Sequence, residues 1–101
     1  MRVVIKKVGE PAKVVEIENT LSALQEIVGG YIEVVGVGGE VLMICNEEGK
    51  LNGAKYNFDL GNDFIVGDVL FVQSKGEDFT DLDDNNIEAV MKFFGKTPYT
   101  T

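Results

Sequence analysis

Valine and isoleucine crowd the first eighteen positions in two blocks. Residues 2–8 and 12–18 predict two strands, and Gly9-Glu10-Pro11 between them reads as a turn. In the second block Val15 and Ile17 alternate with Glu16 and Glu18, the mark of a strand with one buried face. The period then changes. Leu21, Leu24, Ile27 and Val28 fall on one side of a helix that Asn19 or Thr20 can cap and Gly29-Gly30 can end. Two further strands follow, from Tyr31 to Val35 and from Glu40 to Cys45, joined by Gly36-Val37-Gly38-Gly39. Val41 to Ile44 has no polar alternation, which predicts a central strand covered on both faces. Residues 51–63 read as a long polar loop, and Phe64 to Gln73 as a strand region with a break at Gly67-Asp68. Asp83 then caps a second helix carrying Ile87, Val90, Met91 and Phe94 at helical spacing, closed by Gly95. The expectation is an α+β domain over residues 1–95, in the order β-β-α-β-β-β-α. Both helices pack on one mostly antiparallel sheet of about five strands, and residues 96–101 form a flexible tail.

Composition narrows the chemistry. The chain has 101 residues, no His and one Cys. It therefore cannot build a Ser-His or Cys-His nucleophile pair, a His-ligated zinc site or an intramolecular disulfide. Nine basic residues against seventeen acidic ones give a net charge of −8, and the bases are scattered. Direct binding to nucleic acid or to an anionic membrane is not expected from such a balance. The first residues lack the apolar stretch of a signal peptide, and a cytoplasmic location is the default expectation.

Four stretches could carry chemistry. Gly36-Val37-Gly38-Gly39 leads into a strand, whereas a phosphate loop must open a helix, so a turn is the simpler reading. Asp81-Leu82-Asp83-Asp84-Asn85 begins like a calcium loop, but Asn86 and Lys92 stand where Gly and Glu belong. No carboxylate pair has a spacing diagnostic of glycoside hydrolysis. The fourth stretch, Asn46 to Asn57, is rich in amides, Gly and Lys, with Tyr56 near its end. It could grip a nucleotide-sized polar ligand, or it could be a loop whose Asn side chains bond their own backbone. No catalytic residue, metal ligand or cofactor is assigned.

Several segments together carry a resemblance. These are residues 27–35 (Ile27 to Val35), Cys45-Asn46-Glu47-Glu48-Gly49-Lys50-Leu51, Asn57, Ile65-Val66-Gly67-Asp68-Val69 and Asp81-Leu82-Asp83. In these the chain resembles domain-of-unknown-function family 3846, small proteins common in phages and mobile elements of Gram-positive gut bacteria. The family often has Leu-Pro where this chain has Ala54-Lys55-Tyr56. The resemblance implies a phage or prophage accessory protein. It singles out Tyr31, Glu33, Asn46, Glu47, Glu48, Gly49, Lys50 and Asn57 as the candidate ligand-binding surface.

Residues and resemblance together lead to the expectation of a non-enzymatic binding protein, one that sequesters a nucleotide-type immune signal of the host. The alternative is an acidic inhibitor or adaptor that covers the basic nucleic-acid site of a host protein, imitating nucleic-acid charge, with Asp81, Asp83 and Asp84 as the residues to test. Either form is compatible with a homo-oligomer.

Overall fold

A computed structural model of the chain describes residues 1–95, so the expected tail at 96–101 lies outside the described residues. Ten elements follow one another: β1 (Arg2–Lys6), β2 (Lys13–Glu16), α1 (Leu21–Val28), β3 (Ile32–Gly38), β4 (Val41–Asn46), β5 (Tyr56–Leu60), β6 (Asp63–Val66), β7 (Val69–Lys75), β8 (Asp78–Thr80) and α2 (Asp84–Phe94). The main sheet runs β2-β1-β7-β4-β3, with β8 paired to β7, and every pair is antiparallel. Strands β5 and β6 form a separate two-stranded ribbon.

The continuous apolar runs sit at the centre, as strands covered on both faces require. In β7 the residues Val69, Leu70, Phe71 and Val72 are all fully buried, and β4 lies beside it. Alternation then separates two cores. On one face Val3, Ile44, Leu70 and Val72 pack against Leu24 and Val28 of α1. On the other, Val4, Met43 and Phe71 meet Val90 of α2 and Phe58 of the ribbon. The two helices therefore cover opposite faces of one sheet. Phe71 stacks on Phe94 at 4.9 Å, and Phe58 tilts against Phe94 at 5.2 Å, so sheet, ribbon and α2 share one aromatic cluster.

Both helix starts follow the sequence. Thr20 Oγ1 accepts the Ala23 N–H at 3.1 Å, while Asp83 Oδ1 accepts the Asn86 N–H at 2.8 Å. The glycine-rich connection is a hairpin, and Gly38 and Gly39 take φ of 142° and 53° there.

The α+β class holds, but the strand count exceeds the expected five. The segment read as loop contains β5, and the region from Phe64 to Gln73 divides at Gly67-Asp68 into β6 of the ribbon and β7 of the sheet. A third strand, β8, escaped the pattern because only Phe79 of its three residues is apolar. β5 lies in a stretch whose Asn and Gly residues favour a loop, and it carries a bulge. Tyr56 pairs with Val66 and Phe58 with Ile65, so Asn57 has no partner in the ribbon. An extra residue in a strand turns its side chain out of the regular alternation. Here that side chain goes into the interior.

Asn57 is fully buried there, and so is Lys6. The Lys6 ammonium donates to Asn57 Oδ1 at 2.8 Å and to the Lys7 carbonyl at 2.9 Å. Asn57 Nδ2 donates in turn to the carbonyls of Lys6 (3.0 Å) and Gly67 (2.8 Å). All of these polar groups are partnered, which is the condition for burying them at all. This bracket pins the ribbon to the C-terminal end of β1.

Candidate functional site

A groove of about 320 Å³ opens where β3 and β4 approach the ribbon. Its floor is apolar, built from Val35, Leu60, Ile65 and Val66. Its rim carries Glu33, Glu47, Lys50, Asp63 and the exposed Phe64.

The turn after β4 sets the rim. Asn46 Oδ1 accepts the Glu48 N–H at 2.8 Å, an Asx-type turn, and Asn46 Nδ2 donates to the Val28 carbonyl at the end of α1 (3.1 Å). The Glu47 N–H donates to the Tyr31 carbonyl at 2.8 Å, which ties the turn to the start of β3. Gly49 is buried against the ribbon. A Cβ there would stand 3.1 Å from Val66 Cγ2, so the close approach requires glycine or a shift of the valine. Lys50 then reaches across the groove to Asp63 at 2.6 Å, with its ammonium 4.3 Å from the centre of the Phe64 ring.

Electrostatically the rim is acidic. Glu33, Glu47 and Asp63 face the single ammonium of Lys50, which Asp63 already holds. The hydrogen bond from Lys50, and that from the Phe64 N–H, hold the Asp63 carboxyl below its ordinary range. Cys45 lines the inner wall, its Sγ 3.7 Å from Glu33 Oε1. Burial first, and the Glu33 carboxylate second, push this thiol up to about 11. Cys45 is therefore a protonated, poorly nucleophilic wall residue at neutral pH.

One consequence is measurable. Native alkylation of Cys45 should climb about tenfold per pH unit from 8 to 10, since only the thiolate reacts. In urea the rate should level off above the ordinary thiol value of 9.0. A plateau near 9 in the native protein would show that the thiol is not perturbed.

The sequence model of a domain of unknown function, DUF3846, matches residues 1–95. The chain belongs to this family. No curated protein and no solved structure matches it.

In this DUF3846 domain the sequence-predicted site residues divide into three groups. Glu33, Asn46, Glu47, Gly49 and Lys50 come together around the groove. Tyr31 and Glu48 are exposed beside it but do not line it. Asn57 does not reach it, because its whole amide is consumed by Lys6 and Gly67. Within the first group, Asn46 and Gly49 shape the turn, which leaves Glu33, Glu47 and Lys50 as the side chains able to meet a ligand. Sequence reasoning missed Asp63, Phe64 and the apolar floor. The run Phe64-Ile65-Val66 was legible as strand, but nothing in the pattern showed that it faces residue 50.

Three of the six acids between Glu77 and Glu88 have partners within the fold. Asp81 Oδ1 accepts the Arg2 N–H at 2.7 Å, Asp83 caps the helix, and Asp84 pairs with the Arg2 guanidinium at 3.0 Å. Among the described residues no helix is long and apolar enough to cross a membrane.

Proposed function

We propose that this protein acts by binding, without catalysis, and that the groove between the β4 turn and the ribbon is its recognition site. Its ligand has an apolar or flat portion for the floor, and hydrogen-bond donors or positive charge for the rim. The observation that carries this reading is the convergence of Glu33, Glu47 and Asp63 over Val35, Leu60, Ile65 and Val66, with Lys50 already neutralised. The volume is at the small end of ligand sites, which run from roughly 300 Å³ upward.

This narrows the nucleotide expectation. Phosphates would meet carboxylates at the rim, so the nucleoside part of a host signal fits the groove better than its anionic part. Sequestering such a molecule suits the phage or prophage accessory role that the family resemblance implies. The acidic-inhibitor alternative has weaker support, since Asp81, Asp83 and Asp84 already have partners within the fold.

Calorimetric titration tests the reading with adenosine, arginine methyl ester, ADP-ribose and a cyclic dinucleotide. Adenosine or the arginine ester should bind, and Glu47→Gln should weaken the arginine ester about three- to tenfold, the loss of one exposed to half-buried charge contact. Tighter binding of ADP-ribose or the cyclic dinucleotide than of adenosine would overturn the acidic-rim account. Silence from all four probes with folded protein would remove the groove as a ligand site, and turnover of any of them would end the non-catalytic reading.

A further inference from the structure

The two ends of the main sheet are built differently. At one end β2 is four residues long, preceded by Pro11 and bearing Lys13 and Glu16. Short, charged strands next to proline are how proteins blunt a sheet edge. At the other end β3 is seven residues long, Ile32-Glu33-Val34-Val35-Gly36-Val37-Gly38, with one charge and no proline or lysine.

The hydrogen-bond phase of β3 shows which of its groups lack a partner. The Tyr31 carbonyl accepts from Glu47, so the backbone groups of residue 31 face β4. In an antiparallel ladder this orientation alternates. Glu33 and Val35, opposite Cys45 and Met43, therefore also face β4. Ile32, Val34 and Gly36 turn their N–H and C=O groups outward, with no partner among the described residues. Next to this free row, Val34 is half-exposed, and Tyr31 is 71% exposed.

We propose that β3 is a self-pairing edge, and that two copies of this chain join through it in antiparallel fashion about a two-fold axis at Val34. This register uses the outward groups of all three residues, Val34 facing Val34 of the second copy and Ile32 facing Gly36. It sets Glu33 opposite Val35, so the only charge of the strand never stands directly opposite itself, an arrangement that would be repulsive. The bulge between Gly36 and Gly38 limits pairing beyond that point and so favours one register over slipped ones.

The pairing also bears on the groove, although it stands without the binding proposal. Glu33 and Val35 line the groove. In the dimer each lies across from its counterpart's neighbour in the second copy, on the same face of the sheet. The two grooves then meet at the axis, and each gains a carboxylate from the other copy.

Sedimentation equilibrium of the full chain, taken up to about 100 μM to reach a modest interface, should give twice the 11.0 kDa chain mass. Val34→Lys should weaken the dimer tenfold or more, roughly 1.4 kcal/mol or above, by placing like charges at the axis. Val14→Lys, on the opposite edge, should leave it unchanged. A wild-type monomer at the top concentration overturns the proposal, and so does a dimer that Val34→Lys leaves intact. Should Val34→Lys not fold, hydrogen exchange of the wild type decides the question. The amides of Ile32, Val34 and Gly36 must gain protection as concentration rises, and exchange independent of concentration overturns the pairing. An extended peptide of another protein that protects these amides while the chain stays monomeric would likewise replace self-pairing.

Discussion

Replacing Asn57 with alanine is expected to destabilise the fold by about 3 kcal/mol, with a range of roughly 2–4, although no ligand contact is lost. The side chain accepts from the Lys6 ammonium and donates to the Lys6 carbonyl in the interior, and to the Gly67 carbonyl at its margin. Its loss leaves Lys6 with only the Lys7 carbonyl at 2.9 Å, and a buried cation short of a partner is penalised far more than the net value of the bond it lost. Thermal unfolding should drop by about 12–24 °C, given the usual shift of roughly 4–8 °C per kcal/mol in a domain of this size. A drop equivalent to less than about 1 kcal/mol would mean that water replaces the amide and that the bracket is not closed. Exchanging both groups for apolar ones, as in Lys6→Met with Asn57→Leu, should recover only part of the loss: no buried cation remains, but the carbonyls of Lys6, Lys7 and Gly67 lose the donors that served them.

The same bracket has a pH signature. Desolvation lowers the Lys6 pKa below its ordinary 10.5, with Asp68 and Glu10 opposing that shift. Between the lowered value and 10.5 the unfolded chain binds more protons than the folded one, so this lysine makes stability rise with pH. Cys45 acts in the opposite sense: its thiol is raised from 9.0 to about 11, and its contribution falls as pH climbs through that interval. The measurement that isolates Lys6 is the difference between the wild type and Lys6→Met in urea unfolding across the alkaline range. That difference should lean toward the wild type as pH rises, and a flat difference would place the ammonium in contact with water.

Phe71→Ala is expected to produce the largest stability loss, about 3–5 kcal/mol. The ring is fully buried, stacks on Phe94 and lies 6.4 Å from Phe58. Three separate elements would face the cavity, and each is held by its own anchor, so collapse around the gap is restricted. Urea unfolding gives the magnitude, and hydrogen exchange gives the pattern. The ribbon and α2 should lose protection first, while α1, packed on the other face against Leu70 and Val72, should keep it. Equal loss in α1 would show that the two cores are not energetically distinct, and a total below about 2 kcal/mol would show a cluster that repacks freely.

Much of the frame was legible because it rests on local signals. Thr20 and Asp83 announced their helices through side-chain oxygens, and the unbroken Val41–Ile44 run announced a strand covered on both faces. Residues 51–63 were not legible for a specific reason. Tyr56, Phe58 and Leu60 do alternate, but Asn and Gly around them speak for a loop, and a bulge is invisible to a period-two count. The site suffered from the same limit. Asn46, Glu47, Gly49 and Lys50 fall within five consecutive positions, so a motif could collect them. Asp63 and Phe64 join them only through the path of the ribbon, and Asn57 left the set because its side chain points inward. Amide-rich composition does not distinguish an Asn that greets a ligand from one that satisfies a buried lysine.

The position of β7 sets the order in which this chain can be assembled. It is the seventh strand made, yet it alone joins β1 to β4. As the chain leaves the ribosome, the β1–β2 hairpin and the α1–β3–β4 unit emerge early with their central edges unsatisfied, and neither can zip onto the other until residues 69–75 arrive. The joining of the two halves is thus one late, long-range closure, which slows folding relative to local topologies of equal length. Truncation ahead of Val69 would release two sticky halves rather than a smaller domain, and a chaperone would find its substrate in that interval.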